Sequence, residues 1–297
     1  AALLGQPADT AAVEMAGHGG TFEASEDARI ALTGARMRAD IDGKPLIWNA
    51  SHMLPASARL TIGGSLEGAY GYLHVGGGIN THALLTSRST HLAAGLGQPL
   101  TDGDRLPLGP DARPGDAGFA LNPAPRHAGG TIRIVPSLQT ALFPAFERTR
   151  FEATTFQRDT RANRMGARLI PDGDGFASDT GLSVLSEIIV PGDIQITGDG
   201  TPFVLLAECQ TTGGYPRIGT IIPADLPLVV QADRGAKLRF QFIDIREAVA
   251  IERTEAKARA NLPRKRTRMI RRPEDMTDLL DYELISGVTS GCDLIQD

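Results

Sequence analysis

The chain has 297 residues, 41% of them hydrophobic, enough for one large or two ordinary domains with cores of their own. A net charge of −5 and a pI near 5.7 argue against a nucleic-acid partner or an anionic membrane surface. Cys209 and Cys292 are too few and too far apart for a disulfide framework, and no apolar run is long enough to span a bilayer, so a cytoplasmic protein with no membrane partner is expected.

In chain order, residues 1–13 predict a short helix, after which the pattern turns to β structure. Apolar or alternating runs at 28–33, 36–41, 59–62 and 69–75 are each bounded by Gly, Asp-Gly or Pro, as short strands are. Asp42-Gly43 signals a hairpin. Residues 107–125 are rich in Pro, Gly and Asp and predict a linker or exposed loop. The order strand, Gly turn, strand, Gly cluster at 60–78 recurs at 194–214, which suggests a repeat. The prediction is a mainly β protein with a few helices and two barrel-like domains, 1–125 and 126–297. Residues 245–262, rich in Ala, Glu, Arg and Lys and ended by Pro263, are the clearest helix. The basic stretch 264–272 that follows is expected to be a solvated loop, because the rest of the chain is acidic.

The densest functional signal is 203–217, where an apolar strand runs into Gln210, Thr211, Thr212, Gly213, Gly214, Tyr215, Pro216 and Arg217. Paired glycines permit positive φ and close approach of a ligand, and successive N–H groups can form a nest for a carboxylate or phosphate. Arg217 would add a forked contact to the same anion, so Arg217→Ala is expected to weaken binding and spare folding. The competing reading is a tight loop in which Pro216 and the glycines only turn the chain. Arg88, Ser89 and Thr90 gather a guanidinium and hydroxyls that suit a carboxylate or phosphoryl oxygen; alternatively Ser89 or Thr90 caps a short turn ended by Gly95 or Gly97. Arg164 either reaches the same cleft or braces the two domains. His74 is expected in the core or partly exposed, and Cys209 as a buried strand thiol. The histidines have no metal spacing, and the sequence has no phosphate-binding loop of the G-x-x-x-x-G-K type, no biotin-attachment segment and no Ser-His-Asp constellation. No metal site and no biotin on this chain are therefore expected.

The stretch 190–220, of the form VPGxIQxxxDGxPxVLLAxxQTTGGYPxIGT, resembles the signature of the biotin-dependent carboxyltransferase family, which includes allophanate hydrolase subunit 2, KipA and the 5-oxoprolinase C subunit. Blocks at 72–90, 91–108, 133–139, 163–169 and 284–288 resemble the same family in the same order, with Glu208-Cys209 where the family commonly has Asp-Arg. The resemblance implies two cyclophilin-like β-barrels. It is strongest to the C subunit of an ATP-dependent 5-oxoprolinase. That implies ATP in an assembled complex, an A-type partner, a KipI-like B-type partner, and a small amide or lactam substrate opened to glutamate. On that reading Gln210, Thr211, Thr212 and Tyr215 are the expected catalytic residues. Arg88, Ser89, Thr90, Arg164, Gly213, Gly214 and Arg217 are expected to bind substrate. The alternatives are carboxyl transfer from carboxybiotin to a urea-like amide, and a KipA-like protein that antagonises a kinase inhibitor. The family usually carries a further N-terminal segment with a G-x-x-T-x-x-Q-D-x-G-R-like motif, so one is expected before Ala1.

Overall fold

A computed structural model describes residues 1–270 except 180 and 182; the expected terminal block at 284–288, Cys292 and the end of the basic stretch lie outside the described residues. The first half builds one strongly bent sheet. Its strands are β1 (Val13–Ala16), β2 (Thr21–Glu23), β3 (Ala28–Ile41), β4 (Lys44–Pro45), β5 (Ala50–Leu54), β6 (Arg59–Val75) and β7 (Phe119–Ala120). Runs read as separate strands are continuous: 28–41 is one strand and 59–75 another. Three register shifts between β3 and β6, near Gly34, Arg36 and Met37, bend the pair without breaking it. The β3–β4 hairpin turns at Asp42 and Gly43, both at positive φ, as their types favour. In place of a helix at 1–13 there is a single 3-10 turn, Ala2–Leu4.

The second half contains β8 (Gly129–Val135), α1 (Ala145–Ala153), β9 (Phe156–Arg158), β10 (Gly166–Pro171), β11 (Glu187–Ile188), β12 (Asp193–Ile196), β13 (Pro202–Leu205), β14 (Thr212–Gly213), β15 (Arg217–Ile221), α2 (Leu226–Val230), β16 (Lys237–Phe242) and α3 (Ile245–Ala260). Seven of the strands close a barrel in the order β10-β13-β12-β15-β8-β16-β9. Its interior is filled by phenylalanines: the Phe151 ring of α1 lies 5.0 Å from Phe156 and from Phe240, and 5.1 Å from Phe176. Strands β11 and β14 form a separate two-stranded ladder outside the barrel. α3 begins where the Asp244 carboxylate accepts hydrogen bonds from the Arg246 and Glu247 N–H groups.

Among the described residues closure distinguishes the halves, and the expected barrel is seen in the second. Among the described residues the first sheet runs β1-β6-β3-β5-β7 and does not close, its far edge extended by β17 (Thr267–Arg268). The basic stretch is therefore not simply a solvated loop. The Arg266 and Arg268 guanidinium groups stack 4.4 and 4.7 Å from the Phe119 ring centre. The 107–125 segment is pinned as well, by Asp111 against the buried Arg29 at 2.5 Å and by β7. Nor is there a repeat: 59–75 is a single strand, whereas 193–205 folds as the β12–β13 hairpin.

The sheet and the barrel meet along the middle of β6. Gln231, just past α2, accepts hydrogen bonds from the Ala69 and Tyr70 N–H groups at 2.8 and 3.0 Å and donates to the Tyr70 carbonyl at 2.9 Å. Asp233 accepts from the Gly68 N–H at 2.6 Å and meets His127 Nδ1 at 2.9 Å. Truncation in Gln231→Ala strands three backbone groups, and an equilibrium urea titration is expected to show a loss of about 1–3 kcal/mol with little change in slope.

Candidate functional site

Alternation along β6 separates two faces: Leu73 and Val75 enter the first core, and Tyr70, Tyr72 and His74 point the other way. Cross-strand from Tyr72 is Glu14 on β1, whose carboxylate accepts from the Tyr72 hydroxyl at 3.1 Å. Glu14 also pairs with Arg164, in the turn before β10, and the Arg164 Nε donates to Glu208 at 2.7 Å. The other Glu208 oxygen accepts from the Ala93 N–H at 3.2 Å. Glu208 is 4% exposed. Burial pushes its carboxyl up, but the Arg164 guanidinium and the backbone N–H groups of Ala93 and Leu92 outweigh that and hold it below the usual carboxylate range. Burial and the charge of Glu14 push the Tyr72 and Tyr70 phenols up, so both stay protonated donors.

This network brings two sequence motifs together. Ala93 lies three residues after Thr90 and Glu208 two before Gln210, so the 80–97 loop and the QTTGG segment meet at one hydrogen bond. The turn at Leu92–Ala94 is capped by His91, whose Nδ1 accepts from the Ala94 N–H at 3.2 Å, and not by Ser89 or Thr90. Arg88 is exposed and bonds within its own loop, to the Thr81 carbonyl and the Asn80 side chain. Ser89 and Thr90 are exposed beside it.

In the QTTGG segment, Gln210, Thr211, Thr212 and Tyr215 lie at the surface, and their side chains make no hydrogen bond among the described residues. Thr212 and Gly213 pair with Ile188 and Glu187 across the β11–β14 ladder. Neither Gly213 nor Gly214 has positive φ, so the expected nest does not form. Gly213 sits close against its neighbours: a Cβ there would come within 2.4 Å of the Gln195 Nε2, so that side chain would have to shift.

Arg217 departs most from its expected role. It is 8% exposed, and its guanidinium reaches Glu187 at 2.6 Å and Asp193 at 3.2 Å while Nε donates to Gln139. Its donors clamp the β11–β14 ladder to the barrel wall. Arg164 is likewise paired, with Glu14 and Glu208, as in the bracing alternative for that residue. Burial and the negative charge of Asp193 push the Cys209 thiol up, which keeps it protonated. His74 is half-buried, and burial pushes its imidazole down to about 4. Among the described residues no cluster of three or more His, Cys, Asp or Glu is gathered for a metal. Glu14, Tyr70 and Tyr72 carry no local signal in the sequence, because their partners are distant in the chain, and the role of Glu208 likewise emerges only in the fold.

Fold and family together define a carboxyltransferase-type protein. Residues 1–242 match the family model described as carboxyltransferase domain, subdomain A and B, and the chain belongs to that family. It is similar to the 5-oxoprolinase C subunit of Escherichia coli K12, 34% identical over 252 residues that cover 83% of this chain and 80% of that protein. The 5-oxoprolinase C subunit of Haemophilus influenzae is 30% identical over 84% of this chain and 81% of its own length. The crystal structure of TTHA0988 superposes with a TM-score of 0.72 at 31% identity over 80% of this chain, which spans 47% of that longer chain. Kluyveromyces lactis urea amidolyase, at 22% identity and a TM-score of 0.71, shares the fold over 84% of this chain and 17% of its own.

Arg217→Ala leaves Glu187 and Asp193 without their cation, so it is expected to destabilise the protein by about 3–5 kcal/mol in urea denaturation. Arg88→Ala, on an exposed loop, is expected to change stability by no more than about 0.5 kcal/mol. Glu208 has a lowered folded pKa, so its contribution to stability is complete above the ordinary carboxylate range and is lost as pH falls through the folded value. Comparing urea midpoints at neutral and acidic pH, Glu208→Gln is expected to be less stable at neutral pH and to show a smaller acid-side decline.

Proposed function

We propose that this chain is the C subunit of an ATP-dependent 5-oxoprolinase, which with A-type and KipI-like B-type partners opens 5-oxoproline to glutamate and is inactive alone. Similarity to two proteins of that name over more than four-fifths of the chain supports the substrate. One geometric observation carries the site: Gln210, Thr211, Thr212 and Tyr215 present unengaged polar groups beside the point where the 80–97 loop is anchored.

A lactam resists hydrolysis because its nitrogen lone pair is delocalised into the carbonyl. ATP would relieve this by phosphorylating the carbonyl oxygen with loss of ADP; one water then adds to the carbon, the ring C–N bond breaks with its electron pair and a proton going to the nitrogen, and a second water hydrolyses the resulting acyl phosphate to carboxylate and phosphate. Each stage places negative charge on oxygen, which needs donors already oriented toward it. On this reading the Gln210 amide and the Thr211 and Thr212 hydroxyls supply those donors, and Tyr215 donates a proton or walls the pocket. Arg88, Ser89 and Thr90 border the same space. A second reading, carboxyl transfer to an amide nitrogen, is favoured by the family description and uses the same oxyanion donors.

Glutamate formed from 5-oxoproline and ATP, measured with all three subunits and with each left out in turn, tests the proposal. Activity is expected only in the complete mixture, with Gln210→Ala lowering kcat by about 10²- to 10³-fold. A complete, assembled mixture that forms no glutamate overturns it, and carboxylation of an amide by that mixture would establish the second reading.

A further inference from the structure

The arginines around the sheet–barrel junction differ in how their charge is met. Arg164 has Glu14 and Glu208, Arg217 has Glu187 and Asp193, and Arg133 has Asp225. Arg158, at the end of β9, is the exception. It is half-buried, yet among the described residues no carboxylate lies within ion-pairing distance of it. Its one hydrogen bond runs from Nε to the Ala232 carbonyl, a long 3.3 Å. The other four guanidinium N–H donors find no partner among the described residues. Burial pulls its pKa down from the ordinary arginine value, and Tyr70 and Asp233 only partly offset this. Asp233 is already engaged by the Gly68 N–H and by His127. A half-buried guanidinium with four uncommitted donors and no counter-ion is suited to receive an anion.

Tyr70, whose backbone is gripped by the residue preceding Ala232, carries a second free donor. Consecutive residues hold the pair: Gln231 grips the Tyr70 backbone from both sides, and Ala232 takes the Arg158 Nε. Tyr70 is 6% exposed, its phenol stays protonated, and its hydroxyl has no hydrogen-bond partner among the described residues. Tyr70 and Tyr72 share one face of β6, so this donor pair belongs to the same strand face as the network that anchors Glu208.

We propose that Arg158 and Tyr70 form a carboxylate-binding subsite at the junction of sheet and barrel, the guanidinium fork taking the two oxygens and the phenol adding a third hydrogen bond. A planar monoanion with two oxygens matches the fork better than a tetrahedral one. Resting on the reading of this chain as part of an oxoprolinase, the subsite holds the carboxylate of 5-oxoproline and takes over the anchoring task that Arg217, locked in the barrel wall, does not perform.

Calorimetric titration of the full chain with 5-oxoproline, its uncharged carboxamide and inorganic phosphate tests the assignment. The expected result is binding of 5-oxoproline that weakens about 10- to 100-fold in Arg158→Gln and about 3- to 10-fold in Tyr70→Phe, with Arg158→Lys intermediate and the carboxamide bound no better than to the variants. Tyr70→Phe keeps the ring and decides the matter should Arg158→Gln not fold. Equal affinity for acid and carboxamide, unchanged affinity in Tyr70→Phe and a folded Arg158→Gln, a preference for phosphate, or no carboxylate bound by the wild-type chain would each overturn it. The outcome is separable from the proposed function. Glutamate formation by an assembled complex carrying Arg158→Gln with unaltered KM removes the subsite and keeps the enzyme. Arg158-dependent binding in a chain whose complete complex forms no glutamate keeps the subsite and removes the oxoprolinase.

Discussion

The arrangement depends on the buried carboxylate of Glu208. A carboxylate out of water is tolerated only when its oxygens are met by donors, and here the donors come from separate parts of the chain: Arg164 of the barrel and the backbone of the 80–97 loop. Arg164 in turn reaches Glu14 of the first sheet, which takes the Tyr72 hydroxyl. One chain of charge-assisted hydrogen bonds therefore fixes sheet, barrel and loop at the residue from which the QTTGG segment departs. Gln231 does the equivalent work with neutral groups by supplying a donor and an acceptor to the middle of β6.

The charges divide into those consumed by architecture and those left over. Arg217 shows the first case. Its partners are Glu187 and Asp193, one on the β11–β14 ladder and one on the barrel wall, so its ion pairs hold the motif's far end in place and its charge is already met. At the other extreme are the amide, hydroxyl and phenol groups of Gln210 to Tyr215, held in position by a backbone ladder and engaged by nothing else among the described residues. A rigid frame with unengaged polar ends is the condition for preorganised stabilisation of developing charge.

What could be read from the sequence follows from the range of each signal. The Asp42-Gly43 turn and the helix from Ile245 were legible because turn chemistry and capping act over a few residues. The polar segment at 210–215 was legible as well, because a density of polar groups after an apolar strand needs no partner to be noticed. Continuity of β3 and β6 was hidden by internal glycines that look like turn residues and serve instead as bend points in a paired strand. The role of Arg217 was hidden because its carboxylates lie 30 and 24 positions earlier, and only the pairing of β12 with β15 brings one of them alongside. Arg158 and Tyr70 gave no local signal; their environment exists only once α2 has delivered Gln231 and Ala232 to β6.

The late return of the chain to the first sheet has a consequence for biogenesis. Strand β17 adds to β7 some 147 positions after it, and Arg266 reaches back to the Leu3 carbonyl. The first sheet, emerging from the ribosome, therefore waits with one edge unpaired while the whole barrel is made. That edge is a site for misassociation during synthesis, and the two arginines that later cover Phe119 close it only after the barrel and α3 have been translated.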